Sequence, residues 1–478
     1  MATISENLSK LADVKENIKS AIESKGQDLT NVPFVDYATR IESIRVDIGG
    51  KEKTLYLPDA FSNQGVIYTF AVSEDIVLVS GDKSGIGVWE YDFRTEQCTQ
   101  LWEQQYKYQY FQMVGQDCLI GGDYYSLLLY NGQQRTIEQL ITGRSWRYFY
   151  PKGDKVFVSS SQSTEGVCLY DPISRTAKKI VSSGSGTLEV SQIKDRFILG
   201  GSSLKGVWVY DIIQDSSSQV LSVSTSTWSS HKVVGDFCFI SNTTASYTGL
   251  YLYDYELNTA SLVIQNGYNW LGCFDLGGNN ALISANTNNV GIYYFDGVEK
   301  TLTQIYSTGG YWNSFQDVGE DVLIGSGNGS YGKGLLGFNK ETRQITTLFS
   351  NNSAYNAFYL LDDVCLVGCA QGSGNMGMLV YDRATKTTTL GVSLGTSFIY
   401  SFELPEVMLF GSAGSTYYGF LEYDKQNRTF RKPMEYGYSY NQFIVSGDKI
   451  EVSSSKGFKF TYDPATREVS NYKLTLEV

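Results

Sequence analysis

Apolar and polar residues follow one order that recurs along most of the chain. In residues 312–349 a short strand led by an aromatic residue is followed by an acidic turn, and then by an apolar run that ends in small residues. A Gly- and Ser-rich loop, an alternating strand, a polar turn and a β-branched strand complete the unit. Apolar runs of this length between Gly, Asn, Asp and Ser clusters predict four short β-strands per unit.

An aromatic residue followed by Asp or Asn ends the third predicted strand of each unit. Successive copies are 39 to 43 residues apart, which defines ten repeats of about 41 residues. The ten copies are Tyr91-Asp92, Tyr130-Asn131, Tyr170-Asp171, Tyr210-Asp211, Tyr253-Asp254, Phe295-Asp296, Phe338-Asn339, Tyr381-Asp382, Tyr423-Asp424 and Tyr462-Asp463. An Asp or Asn at this point can accept backbone N–H groups of the turn that follows. We therefore favour a structural role for it over a metal or ligand site shared by the repeats.

Four-stranded antiparallel units that repeat every 40 to 45 residues or so are typical of β-propeller blades. We predict a mainly β protein, a β-propeller of about ten four-stranded blades over residues 59–478. The step from Asp254 to Asp296 is 42 residues, like its neighbours, so no linker separates two halves. This favours a single ring, and two five-bladed rings are the alternative.

Residues 1–48 precede the repeats and have a helical period. Lys25-Gly26 is a helix stop, and Pro33 opens a second helix, so the segment is predicted to be a small α-helical hairpin for oligomerisation or docking. Its apolar assembly positions are Ile4, Leu11, Val14, Ile18, Ile22, Phe34, Tyr37, Ile41 and Ile44. Residues 49–58 follow as a hinge with a candidate closing strand, KTLYL, which we expect beside residues 472–478.

Residues 18–44 carry a more specific pattern, Ile-x-x-Ala-Ile-x-x-Lys-Gly, a spacer, and Pro-Phe-x-x-Tyr-Ala-x-x-Ile. This stretch resembles a short helical module near the ends of tail, baseplate and tail-fibre proteins of tailed bacteriophages. The match covers less than a tenth of the chain, at Ile18, Ala21, Ile22, Lys25, Gly26, Pro33, Phe34, Tyr37, Ala38 and Ile41. The resemblance implies a virion component that oligomerises or docks through its N-terminus and carries a larger distal domain.

Composition excludes several function classes. The chain has 478 residues, with 38 Lys and Arg against 50 Asp and Glu, a net charge of -12 and a pI near 4.8. Such a charge repels phosphates, so we expect no nucleic-acid partner. No apolar stretch approaches the length of about 18 residues that a membrane helix needs, and the N-terminus has no signal-peptide pattern. We therefore expect synthesis in the host cytoplasm without a signal peptide, and no membrane insertion.

The single histidine, His231, limits the catalytic options. A His-based zinc site, a Ser-His-Asp triad or a Cys-His pair would each depend on it. We expect a core position, because equivalent repeats have Phe315 and Phe358 there. The seven cysteines are scattered without a Cys-x-x-Cys pair, so we expect free thiols within strands.

Paired carboxylates remain the main catalytic route, as in glycosidases. The acids that depart from the repeat pattern form no recognisable motif; they include Glu165, Glu189, Glu403 and Glu406. We therefore predict no enzymatic activity, no catalytic residues, no cofactor and no metal.

Large aromatic residues at the start of the first strand are candidates for contact with a receptor or ligand. Such rings offer a large contact area with few rotatable bonds. The other interpretation, that they wedge between blades as part of the core, is the one we favour. The candidates are Trp146, Trp228, Trp270, Trp312, Tyr355 and Tyr440.

The main functional hypothesis is a structural component of a bacteriophage tail: a tail fibre, baseplate or adsorption protein located in the virion. The N-terminal helices would anchor it, and the propeller would be a host-receptor-binding head or a platform for another tail protein. Expected partners are further copies of the chain in a homo-oligomer, most simply a trimer, other tail proteins, and a bacterial surface glycan or protein. The alternative is a cellular, non-enzymatic β-propeller that binds a protein or glycan ligand.

Overall fold

The computed structural model describes most of the repeat region. It covers residues 55, 57–58, 61 and 66–474, except for short segments in that last range. These segments are 83–85, 104–106, 124–125, 163, 185, 202–203, 205, 223–227, 243–248, 266–269, 271, 286–290, 308–310, 327–333, 352, 370–376, 394–397, 413–418, 435–439 and 455–457.

The described residues form forty strands in ten four-stranded sheets, and in each sheet the strands lie in chain order and are antiparallel. This confirms the predicted fold: the repeats are β-propeller blades, numbered 1 to 10 along the chain. The strands of blades 1 to 5 are β1 Ile67–Ala71, β2 Ile76–Gly81, β3 Val88–Asp92, β4 Gln97–Trp102, β5 Tyr108–Val114, β6 Asp117–Gly122, β7 Leu127–Asn131, β8 Thr136–Ile141, β9 Trp146–Lys152, β10 Lys155–Ser160, β11 Val167–Asp171, β12 Thr176–Val181, β13 Leu188–Ile193, β14 Arg196–Gly201, β15 Gly206–Asp211, β16 Ser216–Ser222, β17 Trp228–Val234, β18 Phe237–Asn242, β19 Gly249–Asp254 and β20 Thr259–Gln265. Those of blades 6 to 10 are β21 Gly272–Gly277, β22 Asn280–Ser284, β23 Ile292–Asp296, β24 Thr301–Tyr306, β25 Trp312–Asp317, β26 Asp321–Ser326, β27 Leu335–Asn339, β28 Ile345–Phe349, β29 Tyr355–Leu360, β30 Val364–Cys369, β31 Gly377–Asp382, β32 Thr387–Ser393, β33 Phe398–Glu403, β34 Val407–Ser412, β35 Phe420–Asp424, β36 Thr429–Met434, β37 Tyr440–Ser446, β38 Lys449–Ser454, β39 Phe458–Asp463 and β40 Glu468–Leu474.

The described residues divide into two compact units. Unit 1 contains the described residues up to Ile120 together with Leu129–Glu138, and unit 2 contains Gly121–Leu128 and the described residues from Gln139 onwards. Blades 3 to 10 therefore lie almost wholly within unit 2. Whether the blades form one ring or two stays a prediction.

The second and third strands of each blade carry most of the core. In blade 7, for example, every residue of β26 is buried, whereas β28 has only half-buried and exposed residues. The apolar clusters of unit 2 each join two successive blades; Leu282 and Tyr294 of blade 6 share a cluster with Val322 and Ile324 of blade 7. The apolar run and the alternating strand that recur in the sequence are therefore the surfaces through which neighbouring blades pack.

The small residues near the end of each second strand have a specific cause. A backbone carbonyl at the start of the next blade comes close to this point. Ser80 donates a hydrogen bond to the carbonyl of Tyr108, and Ser284 does the same to the carbonyl of Trp312. In blade 7 the equivalent residue is Gly325, where a Cβ atom would lie 1.7 Å from the carbonyl oxygen of Tyr355. The position therefore holds either a hydroxyl that bonds the carbonyl or a glycine that makes room for it.

The predicted helical module at 1–48 lies outside the described residues, as do all nine of its assembly positions. They are Ile4, Leu11, Val14, Ile18, Ile22, Phe34, Tyr37, Ile41 and Ile44. The candidate closing strand, 53–57, is described only at Leu55 and Leu57, which pack against the apolar cluster around Phe61 and Val79. Pairing of this segment with 472–478 stays a prediction.

The close approach at Gly325 predicts a large effect of a single methyl group. We expect Gly325→Ala to lower the free energy of unfolding by about 3 kcal/mol, because a backbone carbonyl cannot yield without separating two blades. The measurement is urea unfolding followed by tryptophan fluorescence. Gly337→Ala is the matched control, since its Cβ would lie 3.0 Å from the flexible side chain of Leu348 and should cost less than about 1 kcal/mol. Equal losses in the two variants would contradict the argument.

Candidate functional site

The two hairpin turns of each blade lie at the same end of its sheet, because consecutive strands are antiparallel. We call this end the turn face. One hairpin joins the first and second strands, and the other joins the third and fourth. Most of the connections between second and third strands are among the segments that the structure does not describe, including the polar loops at 243–248, 327–333 and 370–376. Both hairpin turns of every blade are among the described residues.

The recurring Asp or Asn has the predicted structural role in all ten blades. In each blade its side-chain oxygen accepts a backbone N–H two or three residues further on; Asp254 accepts those of Glu256 and Leu257, for example. The last residue of each of these turns has a positive φ and is never glycine. These turn-ending residues are Glu96, Arg135, Arg175, Asp215, Asn258, Lys300, Arg343, Lys386, Arg428 and Arg467.

Five of the seven basic residues at this positive-φ position form ion pairs with the turn-starting Asp of the preceding blade. Each pair joins a Lys or Arg of one blade to the turn-starting Asp of the blade before it. The five pairs are Arg135 with Asp92 at 2.8 Å, Lys300 with Asp254 at 2.6 Å, Arg343 with Asp296 at 2.9 Å, Arg428 with Asp382 at 2.7 Å and Arg467 with Asp424 at 2.6 Å. The backbone N–H of Asn427 and the guanidinium of Arg467 hold the pKa of Asp424 well below its usual range. These carboxylates are thus engaged in joining blades.

Two buried glutamates are departures from the repeat that the sequence analysis missed. Glu422, 1% exposed at its side chain, accepts hydrogen bonds from Arg431 at 3.0 Å and from the Tyr462 hydroxyl at 2.6 Å. Glu90 of blade 1 accepts from Tyr130 and Arg135 of blade 2, which are equivalent to Tyr462 and Arg467 of blade 10; Arg467 lies 3.6 Å from Glu422. Burial and the neighbouring carboxylates raise the pKa of both tyrosines. The signal was available in WEYD and LEYD, where an acid occupies a position that is mostly apolar in other repeats.

A cavity of about 540 Å³ opens on the turn face between blades 7 and 8 of unit 2. Seven of its ten lining residues are polar or charged, and they include four carboxylates and two cations. The lining residues are Val318, Gly319, Glu320, Asp321, Asp362, Asp363, Tyr381, Arg383, Ala384 and Lys386. The volume lies within the range of about 300–1,000 Å³ that is typical of ligand sites, but the lining is more polar than that of most small-molecule pockets.

Both cations of the cavity are already paired. Arg383 donates to the backbone carbonyls of Val318, at 3.1 Å, and Asp362, at 2.6 Å. Lys386 lies 2.8 Å from Glu320 and 3.6 Å from Asp321, and the Glu320 carboxylate raises its pKa.

The carboxylates differ in how far they are engaged. Asp321 accepts from the Tyr381 hydroxyl at 3.0 Å and from the Asn339 amide at 2.7 Å. Asp363 pairs with Arg428 of blade 9. Within the part of the chain that the structure describes, the Asp362 carboxylate makes no hydrogen bond or ion pair, so it can accept a donor from a ligand.

The six aromatic contact candidates are buried, which corrects their assignment to a contact surface. Five of them begin a first strand, Trp270 lies two residues before β21, and all six side chains are buried. Trp228 packs edge-to-face on Tyr251 with centroids 5.1 Å apart, and Tyr440 on Phe460 at 4.9 Å. The core role that the sequence left open is the one observed for Trp146, Trp228, Trp270, Trp312, Tyr355 and Tyr440.

The four acids that depart from the repeat pattern are not brought together as a set. Glu165 pairs with Lys179 at 3.5 Å, and Glu403 pairs with Lys425 at 2.7 Å. Glu189 lies in β13 of blade 4, and Glu406 lies in the turn after β33 of blade 9. Within the described ranges, no group of three or more His, Cys, Asp or Glu residues has the arrangement to hold a metal ion.

The cysteines lie where the sequence predicts them. All seven cysteines are free and lie in strands, as predicted; five are buried, whereas Cys98 and Cys273 are half-buried. Burial raises the pKa of the Cys98 thiol to about 11 and that of Cys365 to about 12.

Among the described residues, no helix has the length and apolar character needed to cross a membrane.

Comparison with known proteins finds no matching protein-family model and no similar curated protein. Among solved structures, the chain is similar to the extracellular domain of a protein described as a one component system, BT4673 from B. thetaiotaomicron. Identity there is 12%, coverage is 85% of this chain and 66% of the other, just under two thirds of its length, and the TM-score is 0.26. It is also similar to the computationally designed Ika8 protein, with 9% identity, coverage of 77% and 96%, and a TM-score of 0.29. A third is the dihydro-heme d1 dehydrogenase NirN, with 12% identity, coverage of 69% and 75%, and a TM-score of 0.34.

His231 occupies the predicted core position and is 5% exposed. It pairs with Ile240 as Phe315 does with Ile324, and its ring lies over Gly200 as the Phe358 ring lies over Gly325. Neither ring nitrogen has a hydrogen-bond partner among the described residues, and desolvation lowers the pKa of His231 from 6.5 to about 3. The neutral ring therefore acts as a phenylalanine.

This depressed pKa predicts acid sensitivity. The folded chain keeps His231 neutral while the unfolded chain takes up a proton below about pH 6.5, so stability falls as the pH drops from there towards 3. At pH 4 the loss from this residue is about 3 kcal/mol. We expect His231→Phe to remove that part of the difference between urea midpoints at pH 7 and pH 4. Phe315→His is the converse control, since it should add acid sensitivity, to a smaller extent because Phe315 is only half-buried; an unchanged pH profile in His231→Phe would refute the prediction.

Proposed function

We propose that this protein is a non-enzymatic β-propeller that binds a protein or glycan ligand through the turn face of unit 2. The observation that supports this most directly is the polar cavity between blades 7 and 8. Its cations are paired within the chain, and the Asp362 carboxylate is available to a donor from outside. A polar cavity of this size fits a charged side chain or a hydroxyl-rich sugar better than an apolar small molecule.

The absence of catalysis is part of the proposal, and two observations favour it. The carboxylates that recur with the repeat accept hydrogen bonds from their own turns, and five of them pair with the next blade. His231 is neutral and enclosed in the core. The recurring carboxylates and the histidine, groups that often supply acid–base chemistry, are therefore committed to the fold.

The binding function is tested with the full chain on two arrays, one of immobilised glycans and one of immobilised peptides. We expect retention of at least one member of an array, and a loss of about tenfold in affinity when Glu320→Ala and Asp362→Ala are combined. Both side chains are exposed on turns, so the fold should survive. Mass spectrometry of the bound members is expected to detect no turnover.

Asp448→Ala is the matched control, because Asp448 is an exposed acid on the equivalent first turn of blade 10. It should leave the affinity unchanged. If the Glu320→Ala, Asp362→Ala variant binds the array as tightly as the wild type, or if the wild type binds no member, the cavity is not the binding site. Turnover that disappears in the Glu320→Ala, Asp362→Ala variant would identify an enzyme instead.

The N-terminal pattern favours a second and more specific candidate function. The module-like stretch at 18–44 matches the bacteriophage tail pattern at ten positions. On that basis the chain would be a virion tail component that self-associates through residues 1–48 and presents the propeller to a host receptor or to another tail protein. The binding face proposed above is compatible with either role.

The second candidate predicts an oligomer that depends on the heptad positions. We expect the full chain to have the solution mass of a trimer, and Val14→Asp with Ile18→Asp to reduce it to a monomer, because Ile4, Leu11 and Ile18 have the spacing of a positions and Val14 that of a d position, and charges there disrupt a coiled coil. Light scattering after size exclusion gives the mass. Asn17→Asp with Ser20→Asp is the control, since it adds the same charge at polar positions. A monomeric wild-type chain would contradict self-assembly through this segment.

A further inference from the structure

Four exposed aliphatic side chains occupy corresponding turns of four successive blades. Ile173, Ile213, Leu257 and Val298 lie in the turns between the third and fourth strands of blades 3 to 6 and are 81%, 79%, 64% and 79% exposed. Three of them lie two residues after the turn-starting Asp, and Leu257 lies three residues after it. We call these four residues the aliphatic row.

The row is a departure from the repeat, because the same turn is polar or small elsewhere. Two residues after the turn-starting Asp or Asn, the other six blades have Arg94, Gln133, Glu341, Ala384, Gln426 and Ala465. Single exposed aliphatic residues are common on protein surfaces, but grouped ones mark interaction sites. The turn itself does not need an apolar residue here, since its hydrogen bonds are made by the Asp side chain and the backbone.

The four blades that carry the row are joined to one another within unit 2. Lys178 of blade 3 pairs with Asp215 of blade 4, and Arg196 of blade 4 donates to the carbonyl of Tyr255 of blade 5 at 2.6 Å. Lys300 of blade 6 pairs with blade 5. All these contacts lie at the turn face, so the aliphatic side chains stand on successive blades of a continuous surface.

The charged residues directly next to members of the row are acids, although the exposed Lys152 and Lys232 of blades 3 and 5 also make no ion pair among the described residues. Each cation just named already has an acidic or carbonyl partner. Glu299, next to Val298, is exposed and makes no side-chain hydrogen bond or ion pair among the described residues. Glu256, next to Leu257, is 69% exposed and lies 3.5 Å from Lys300. Blade 7, which follows the row, opens into the cavity with its four carboxylates.

We propose that the aliphatic row is the docking site of a partner protein that presents aliphatic side chains next to Lys or Arg. The aliphatic side chains of the partner would cover the row, and its basic side chains would meet Glu256, Glu299 and the cavity. Charge complementarity selects this partner over a second copy of the chain, because each copy has a net charge of -12. The inference rests on the proposed binding function and names the chemistry of the ligand.

The test uses the full chain and a short fluorescein-labelled peptide in which Leu and Lys alternate, with binding followed by fluorescence anisotropy. We expect the peptide to bind, and the combined Ile173→Ser, Ile213→Ser, Leu257→Ser and Val298→Ser variant to bind about tenfold more weakly, because the apolar contact area is lost. Added salt should weaken the wild-type complex, since part of the attraction is ionic. All four side chains are exposed, so the variant should keep the wild-type unfolding midpoint.

Two controls separate the row from general hydrophobic and ionic attraction. The first combines Leu262→Ser, Leu390→Ser, Ile444→Ser and Val445→Ser, which are exposed aliphatic residues in strands outside the row, and it should bind like the wild type. The second is a peptide in which Leu and Glu alternate, which should not bind.

Several results would overturn the inference. They are equal affinity of wild type and row variant, an equal loss in the strand control, tight binding of the Leu–Glu peptide, or wild-type self-association that the row variant abolishes. The proposed function fails separately. If the cavity variant loses array binding while the row variant keeps it, the binding function stands and this inference falls.

Discussion

The fold depends on how closely one blade can approach the next. The carbonyl at the start of a first strand comes so near the second strand of the preceding blade that only two arrangements satisfy it. Serine donates a hydrogen bond to the carbonyl, as Ser284 does for Trp312, or glycine leaves room, as Gly325 does for Tyr355. This spacing brings the apolar faces of both blades into contact, and the core clusters that span two blades follow from it.

Electrostatic contacts at the turn face act on top of this packing and limit what is left for function. The turn-starting Asp satisfies its own turn with one oxygen and, in five blades, holds a cation of the next blade with the other. Glu90 and Glu422 extend the same scheme inward, each satisfied by a tyrosine and an arginine. Charged residues that escape this scheme, such as Asp362 and Glu299, are the ones to which binding is assigned. The proposed binding function therefore depends on residues that depart from the repeat.

The strand order and the role of the recurring Asp could be predicted from the sequence because both depend on local periodicity. The core position of His231 was also predictable, since Phe315 and Phe358 occupy the same register. The direction of the leading aromatic residues was not, because a strand has two faces and spacing along the chain does not say which one meets a neighbour. Trp228 has a regular position in the repeat, but that position alone does not show that its side chain is buried, as it is in the structure.

The cavity and the aliphatic row depend on contacts between blades, which the order of residues within one repeat does not reveal. A comparison of equivalent turn positions would have separated Ile173, Ile213 and Val298 from the polar or small residues of other blades. The cavity has no such signal, because Arg383 meets Val318, and Lys386 meets Glu320, only after blades 7 and 8 have packed. Repetition thus identifies the scaffold, while the proposed binding surface consists of residues in which individual repeats differ.

The ion pairs between blades also bear on how such a chain can grow. In blades 6 and 9 one turn contains both halves of such a pair: Lys300 and Arg428 reach back to the preceding blade, while Asp296 and Asp424 receive a cation from the following one. Such a blade contributes the cation to the ion pair with the preceding blade and the carboxylate to the ion pair with the following blade. Gene duplication of one repeat would then insert a new blade with its contacts already matched, and divergence could proceed at turn positions such as that of Ile213 without disturbing the joint.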